Sequence, residues 1–135
     1  MAEREFPIEF STLTPDPRPR AWLVLPEGFE AEAEPDARSP YFDASPQALI
    51  EAFVAAALEE PRTRELRRDG LQVEIRQKSP VLRFRDYVTA QAVPAKGGGA
   101  LAVYSRAVVG FWDLNVNRKR VERWIAATKE KLASS

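Results

Sequence analysis

Apolar positions fall into two rhythms along the chain. In "YFDASPQALIEAFVAAALEEP" the pairs Leu49/Ile50, Phe53/Val54 and Ala57/Leu58 recur every four residues, which predicts a helix with one buried stripe. Ser45 suits its N-cap, Pro46 its first position and Pro61 its end. "TRELRRDGLQVEIRQKS" switches to a period of two. Leu71, Val73 and Ile75 point one way, Gln72, Glu74, Arg76 and Lys78 the other, and Asp69-Gly70 predicts a tight hairpin turn. The first arm of this hairpin, with Arg62, Arg64, Arg67 and Arg68 around one Leu66, reads as an edge strand.

After Ser79-Pro80, "VLRFRDYVTAQAV" predicts a longer strand with Leu82, Phe84, Val88, Ala90 and Ala92 on one side. Asp86 shares that side, so it either faces inward with a cation or marks a bulge. "PAKGGG" reads as a simple turn and "ALAVYSRAVV" as the last strand. From Asn115 onward, Val121, Trp124, Ile125, Thr128 and Leu132 return to helical spacing, with Asp113 or Asn115 as the cap. Residues 1–40 hold seven of the eleven prolines and read as an irregular arm. Its Phe6, Ile8, Phe10, Trp22 and Phe29 need burial, on the domain or on a partner chain, and "AWLVL" can add a short strand. The predicted fold is α+β, a four- to five-stranded antiparallel meander with two helices packed on one face in β-α-β4-α order. A Pro-rich arm (1–40) precedes an α+β unit (41–135), and the whole forms a single domain.

Composition then removes most chemistries. There is no Cys and no His, which excludes thiolate nucleophiles, disulfides, imidazole bases and the common zinc sites. No phosphate-binding or calcium-binding loop motif occurs, so neither a metal nor a cofactor is expected. The charge is zero overall, yet residues 1–60 carry 13 acidic and 4 basic side chains (net −9) and residues 61–135 carry 7 and 16 (net +9). The acidic part either lies against the basic part or leaves it free for an anionic partner. The start "MAEREF" is charged and the longest apolar run, "FVAAAL", has six residues, so a cytoplasmic chain without a membrane span is expected.

The candidate site lies in "YSRAVVGFWDLNVNRKR". Arg106 ends a strand, Asp113 precedes the helix, and Asn117 and Arg118 open it, so these four are expected to converge, with Tyr104 and Ser105 beside them. They form either a structural clasp built on an Arg106–Asp113 ion pair or an anion pocket at a helix start. A catalytic base would have to be Asp86 or Asp113, and neither has a visible acid/base partner. The adjacent Phe111 and Trp112 suggest an apolar contact. A basic strand pair with Tyr87 and Tyr104 could act as a stacking platform, but the aromatic run of nucleic-acid binders is missing and no nucleic acid is expected.

The stretches "SPVLRFRD", "LAVYSRAVVGFWDLNVNRKRVERW" and "DARSPYFDASP" resemble domain-of-unknown-function family 1499, over residues 17–132. Members commonly show an R-F-P-D element and a Y-S-R-S…G-x-x-D-x-G-V-N-R-x-R-V-x-x-W ending. Arg83, Phe84 and Asp86 match the first; Tyr104, Ser105, Arg106, Gly110, Asp113, Asn117, Arg118, Arg120 and Val121 match the second. The resemblance implies a compact α+β domain, carried in several members behind a lipoprotein signal or membrane anchor, and no particular activity. Arg85 stands where Pro is usual, Ala107 for a second Ser, Trp112 for a small polar residue and Asn115 for Gly. The expected function is therefore a non-catalytic binding or accessory protein, its partner another protein met through Phe111 and Trp112. The alternative is a binder of an anionic or lipid-like small molecule, or a hydrolase-like enzyme, using the Arg106/Asp113/Asn117/Arg118 end of the sheet.

Overall fold

The computed structural model describes residues 4–134. Its elements are β1 (Ala21–Pro26), β2 (Ala37–Ser39), β3 (Tyr41–Phe42), α1 (Pro46–Leu58), β4 (Thr63–Asp69), β5 (Gln72–Lys78), β6 (Arg85–Ala95), β7 (Gly98–Ala107) and α2 (Val116–Ala133). The β4–β7 meander and the two helices stand where the periodicity put them. The sheet itself is larger and mixed. It runs β2-β1-β7-β6-β5-β4, with β3 also on β7, and β1 pairs parallel with β2. The expected four- to five-stranded antiparallel sheet is thus corrected to seven strands, because β7 has a free edge and the chain upstream of α1 fills it.

The α+β class is plain from the layers. Val73, Ile75, Val88, Ala90, Leu101 and Val103 turn to one face and meet Leu49, Ile50 and Phe53 of α1 and Val121 and Trp124 of α2. Phe53 and Trp124 meet edge to face with ring centroids 5.9 Å apart. Ser45 caps α1 by accepting from the Ala48 N–H at 3.1 Å. No described helix is long and apolar enough to cross a membrane.

The opposite face is buried too. Ile8 and Phe10 of the Pro-rich segment pack on Leu23, Leu25, Ala102 and Tyr104. Gln72 acts there as a substitute strand: it accepts from the Ile8 N–H at 2.6 Å and donates to the Ile8 carbonyl at 2.8 Å. The polar face of β5 therefore holds the arm by side-chain hydrogen bonds, a use that alternation alone cannot reveal.

Three local details differ from expectation. Asp69 pairs with Gln72, so the first hairpin turns on Gly70-Leu71 with positive φ at Gly70 alone. Strand β6 starts at Arg85, because the Ser79 N–H donates to the Phe84 carbonyl and the Phe84 N–H donates to the Ser79 hydroxyl, closing residues 79–84 into a loop outside the sheet. Leu82 and Phe84 are consequently exposed. In "KGGG", Lys96 and Gly97 supply the two positive φ angles of the turn, whereas Gly98 allows a close crossing. A Cβ on Gly98 would sit 2.2 Å from the Phe42 carbonyl oxygen. Gly98→Ala is expected to cost about 1–3 kcal/mol in urea unfolding by pushing β3 off β7, whereas Gly97→Asn meets no neighbouring atom and should cost less, about 1 kcal/mol, from its left-handed φ alone.

A buried polar clasp beneath an apolar groove

Strand alternation decides which site residues meet. Ser105 faces α2, and Tyr104 and Arg106 face the other way, under the arm. The expected Arg106–Asp113 pair does not form. The Arg106 guanidinium instead donates to Thr89 Oγ1 at 2.9 Å and to the carbonyls of Tyr104 and Tyr87, and lies 3.9 Å from Glu74. Tyr104 Oη accepts from the Asp16 N–H at 2.8 Å. Arg118 is exposed, pairing with Glu122 at 3.2 Å with its guanidinium 5.1 Å from the Trp22 ring. Arg83 sits in the 79–84 loop with a φ of 57°.

The residues that do converge are Asp86, Ser105, Asp113, Asn117 and Arg120. Asp113 caps α2: its Oδ1 accepts from the Asn115 N–H at 2.9 Å and its Oδ2 from the Asn117 N–H at 3.0 Å. Leu114 and Asn115 reach the helix through left-handed φ values of 57° and 66°, a conformation that Asn tolerates better than most side chains. The Asn117 amide is fully buried and fully bonded. Its Oδ1 accepts from Ser105 Oγ and from Arg120 Nη1, both at 2.6 Å, and its Nδ2 donates to Asp113 Oδ2 at 2.7 Å and to the Arg20 carbonyl at 3.1 Å.

Arg120 is the hub. Besides Asn117 it donates from Nε to Gln77 Oε1 at 2.6 Å, from Nη1 to Ser105 Oγ at 3.3 Å and from Nη2 to Asp86 Oδ2 at 3.0 Å. Asp86 faces inward with a cation partner, one of the two placements its parity allows. Burial pushes its carboxyl above the usual range, aided by Asp113 and opposed by Arg120, and burial also pushes the Arg120 guanidinium down. Arg120 is not among the residues expected to converge at this end of the sheet. Its signal lies in helical spacing, because residues 117, 120, 121, 124 and 128 form the buried stripe of α2 and a cation there needs a partner.

The clasp is also the floor of a groove of about 680 Å³. Pro80 and Phe84 of the 79–84 loop line it together with Val109, Trp112, Leu114 and Val116. Glu60 and Arg123 close one end as a bidentate pair at 2.9 Å, which holds the Glu60 carboxyl down to about 2. Asp86 Oδ1 has no hydrogen-bond partner among the described residues, and the four contacts of Arg120 leave one N–H of Nη2 unused. Trp112 thus lines a cavity, while Phe111 points elsewhere. A smaller hollow of about 340 Å³ shares Asp113 with it and has Asp16, Trp22, Tyr104 and Arg118 in its lining. No group of three or more carboxylates gathers among the described residues.

Three comparisons bear on this arrangement. A family model described as "Protein of unknown function (DUF1499)" matches residues 8–128. Among solved structures, the chain is similar to the crystal structure of TTHA0849 from Thermus thermophilus, at 14% sequence identity and a TM-score of 0.43, covering 72% of this chain and 96% of that one. No curated protein matches the chain.

Proposed function

The chain belongs to the DUF1499 family of proteins of unknown function, and we propose that it is a non-catalytic binding protein whose groove takes an amphipathic small molecule. One observation carries this reading: an apolar-walled groove ends on a buried ion pair that keeps one acceptor and one donor free. The walls suit a hydrocarbon body. Because Asp86 and Arg120 already neutralise each other, the head group that fits best is a neutral donor–acceptor pair, such as a primary amide, bridging Asp86 Oδ1 and Arg120 Nη2. A carboxylate would face Asp86 directly and is disfavoured.

Catalysis finds no support in the same geometry. The Ser105 hydroxyl is held between Asn117 and Arg120 and has no adjacent base, and Asp86 is tied up by a guanidinium. An anion pocket shared by Arg106 and Arg118 has less support, because Arg106 reaches Thr89 and Glu74 under the arm whereas Arg118 pairs with Glu122 on α2.

Fluorescence titration with N-phenyl-1-naphthylamine, a neutral apolar probe, tests the groove. Saturable binding is expected, displaced better by dodecanamide than by dodecanoate at neutral pH. Trp112→Ala, which removes part of the apolar lining, is expected to weaken the probe by about tenfold. Unchanged binding to Trp112→Ala, or no saturable binding to the native chain, would refute the reading.

A further inference from the structure

The same end of the sheet carries a second feature, which shares Lys78 and part of its apolar surface with the groove but extends beyond it. The 79–84 loop and the 108–115 loop emerge side by side, since Asp86 at the start of β6 pairs with Ala107 at the end of β7. Of the eleven exposed large hydrophobic side chains among the described residues, eight lie in these two loops, so the exposure is local rather than scattered. Val81 is 84% exposed, Leu82 68% and Phe111 69%, and none of the three lines the groove.

Behind these tips stands an uncompensated group of cations. Lys78 lies opposite Arg85 across β5 and β6, Arg64 lies opposite Arg76 across β4 and β5, and Arg83 sits inside the loop. None of the five makes an ion pair among the described residues, although like charges directly opposite destabilise a sheet. Arg76 Nε is buried without any hydrogen-bond partner. Repulsion from Arg76, then desolvation, then repulsion from Arg85, Arg83 and Arg64 push the Lys78 ammonium below its usual range. Elsewhere the acidic and basic halves do neutralise each other, as in Glu51–Arg68 and Glu60–Arg123. This strip is one part of the basic half left open.

We infer that this end of the molecule docks on an anionic lipid bilayer, with Val81, Leu82 and Phe111 entering the acyl boundary and Lys78, Arg83 and Arg85 meeting lipid phosphates. Aliphatic tips flanked within a few residues by cations match the two layers of such a surface, hydrocarbon below and negative charge above. The long Lys and Arg stems let the charged heads stay at the phosphate level while the tips descend. A nucleic acid would match the charge but gives Val81 and Leu82 nothing to contact. Tyr87, the aromatic nearest the cations on the sheet, is closed off by the Arg4 guanidinium 3.5 Å above its ring. The inference stands whether or not the groove holds a small ligand.

Co-sedimentation of the full chain with vesicles tests it. Binding is expected to phosphatidylcholine vesicles containing phosphatidylglycerol, to fall as NaCl is raised, and to be far weaker with phosphatidylcholine alone. Each cation contributes about fivefold to partitioning, so reversing Lys78, Arg83 and Arg85 together to Glu is expected to lower it by at least about a hundredfold. Leu82→Ser with Phe111→Ser should also abolish vesicle binding while keeping both the circular dichroism spectrum and the naphthylamine probe in the groove. No binding to anionic vesicles, equal binding to neutral ones, or binding only to a single-stranded oligonucleotide or a protein partner would overturn it.

Discussion

Arg120→Met is expected to lower the unfolding free energy by about 3–5 kcal/mol, a large part of the stability of a domain this size. The substitution keeps an unbranched apolar stem but drops the guanidinium, and it removes four hydrogen bonds at once. Asp86 is left as a buried, unpaired carboxylate, while Gln77 Oε1 loses its donor and Asn117 Oδ1 one of two. The loss should depend on pH. Burial already holds the Asp86 carboxyl above its unfolded range, and without Arg120 it rises further, so a protonated Asp86 sits in the folded protein at little cost. The penalty is therefore full above the raised folded value and shrinks as pH falls toward the unfolded range. Urea unfolding at neutral pH and near pH 5 checks the sign. Arg120→Met with Asp86→Leu should recover part of the loss, since it removes both charges together. A penalty below about 1 kcal/mol at neutral pH would mean that water in the groove solvates the pair.

The arrangement around Arg120 shows how far alternation and helical spacing carry a reading, and where they stop. Both helices, the Ser45 cap, the buried Trp124 and the inward side of Asp86 follow from local periodicity. The choice between Arg106 and Arg120 as the clasp's cation does not follow from proximity in sequence. Adjacent strand residues face opposite ways, so Ser105 and Arg106 could never share one partner. Counting parity back from Val103 and Leu101 would have excluded Arg106, and counting the α2 stripe would have raised Arg120.

Other features were hidden for a different reason. In "VLRF" the alternation runs straight into β6, and only the Ser79–Phe84 closure takes it out of the sheet. β1 depends on an edge of β7 that lies some eighty residues downstream in the chain, β2 in turn on β1, and Gln72 and Glu74 reveal their use only once the arm is laid over them. The cations at the loop end read as an ordinary solvated face until the register sets Arg64 against Arg76 and Lys78 against Arg85.

Glu74→Gln is expected to release the arm. The carboxylate is 1% exposed and faces three guanidinium groups: Arg4 at 3.0 Å, Arg67 at 2.8 Å and Arg106 at 3.9 Å. Arg67 Nη2 in turn donates to the Arg4 carbonyl, so the anion holds both the side chain and the backbone of the arm's start. Gln matches the shape but not the charge, and it points an N–H toward donors, leaving three cations with no buried anion. A loss of about 3–5 kcal/mol is expected, and it should be local first. Hydrogen exchange should quicken at Ile8 and through residues 4–13 well before α1, α2 and the β4–β7 amides respond. The native chain should approach the same state in acid. Burial alone would raise the Glu74 carboxyl, but the hydrogen bonds and charges of Arg4 and Arg67 outweigh it and hold it below its usual range. Its contribution is thus complete above the unfolded value of about 4.5 and disappears as pH falls through the lower folded value. Glu74→Gln should flatten the arm's exchange over that window, leaving the acid sensitivity that Glu60 confers on the α2 side. Equal exchange of the arm in both proteins would show that Gln72, Tyr104 and the apolar contacts of Ile8 and Phe10 hold it without the charge.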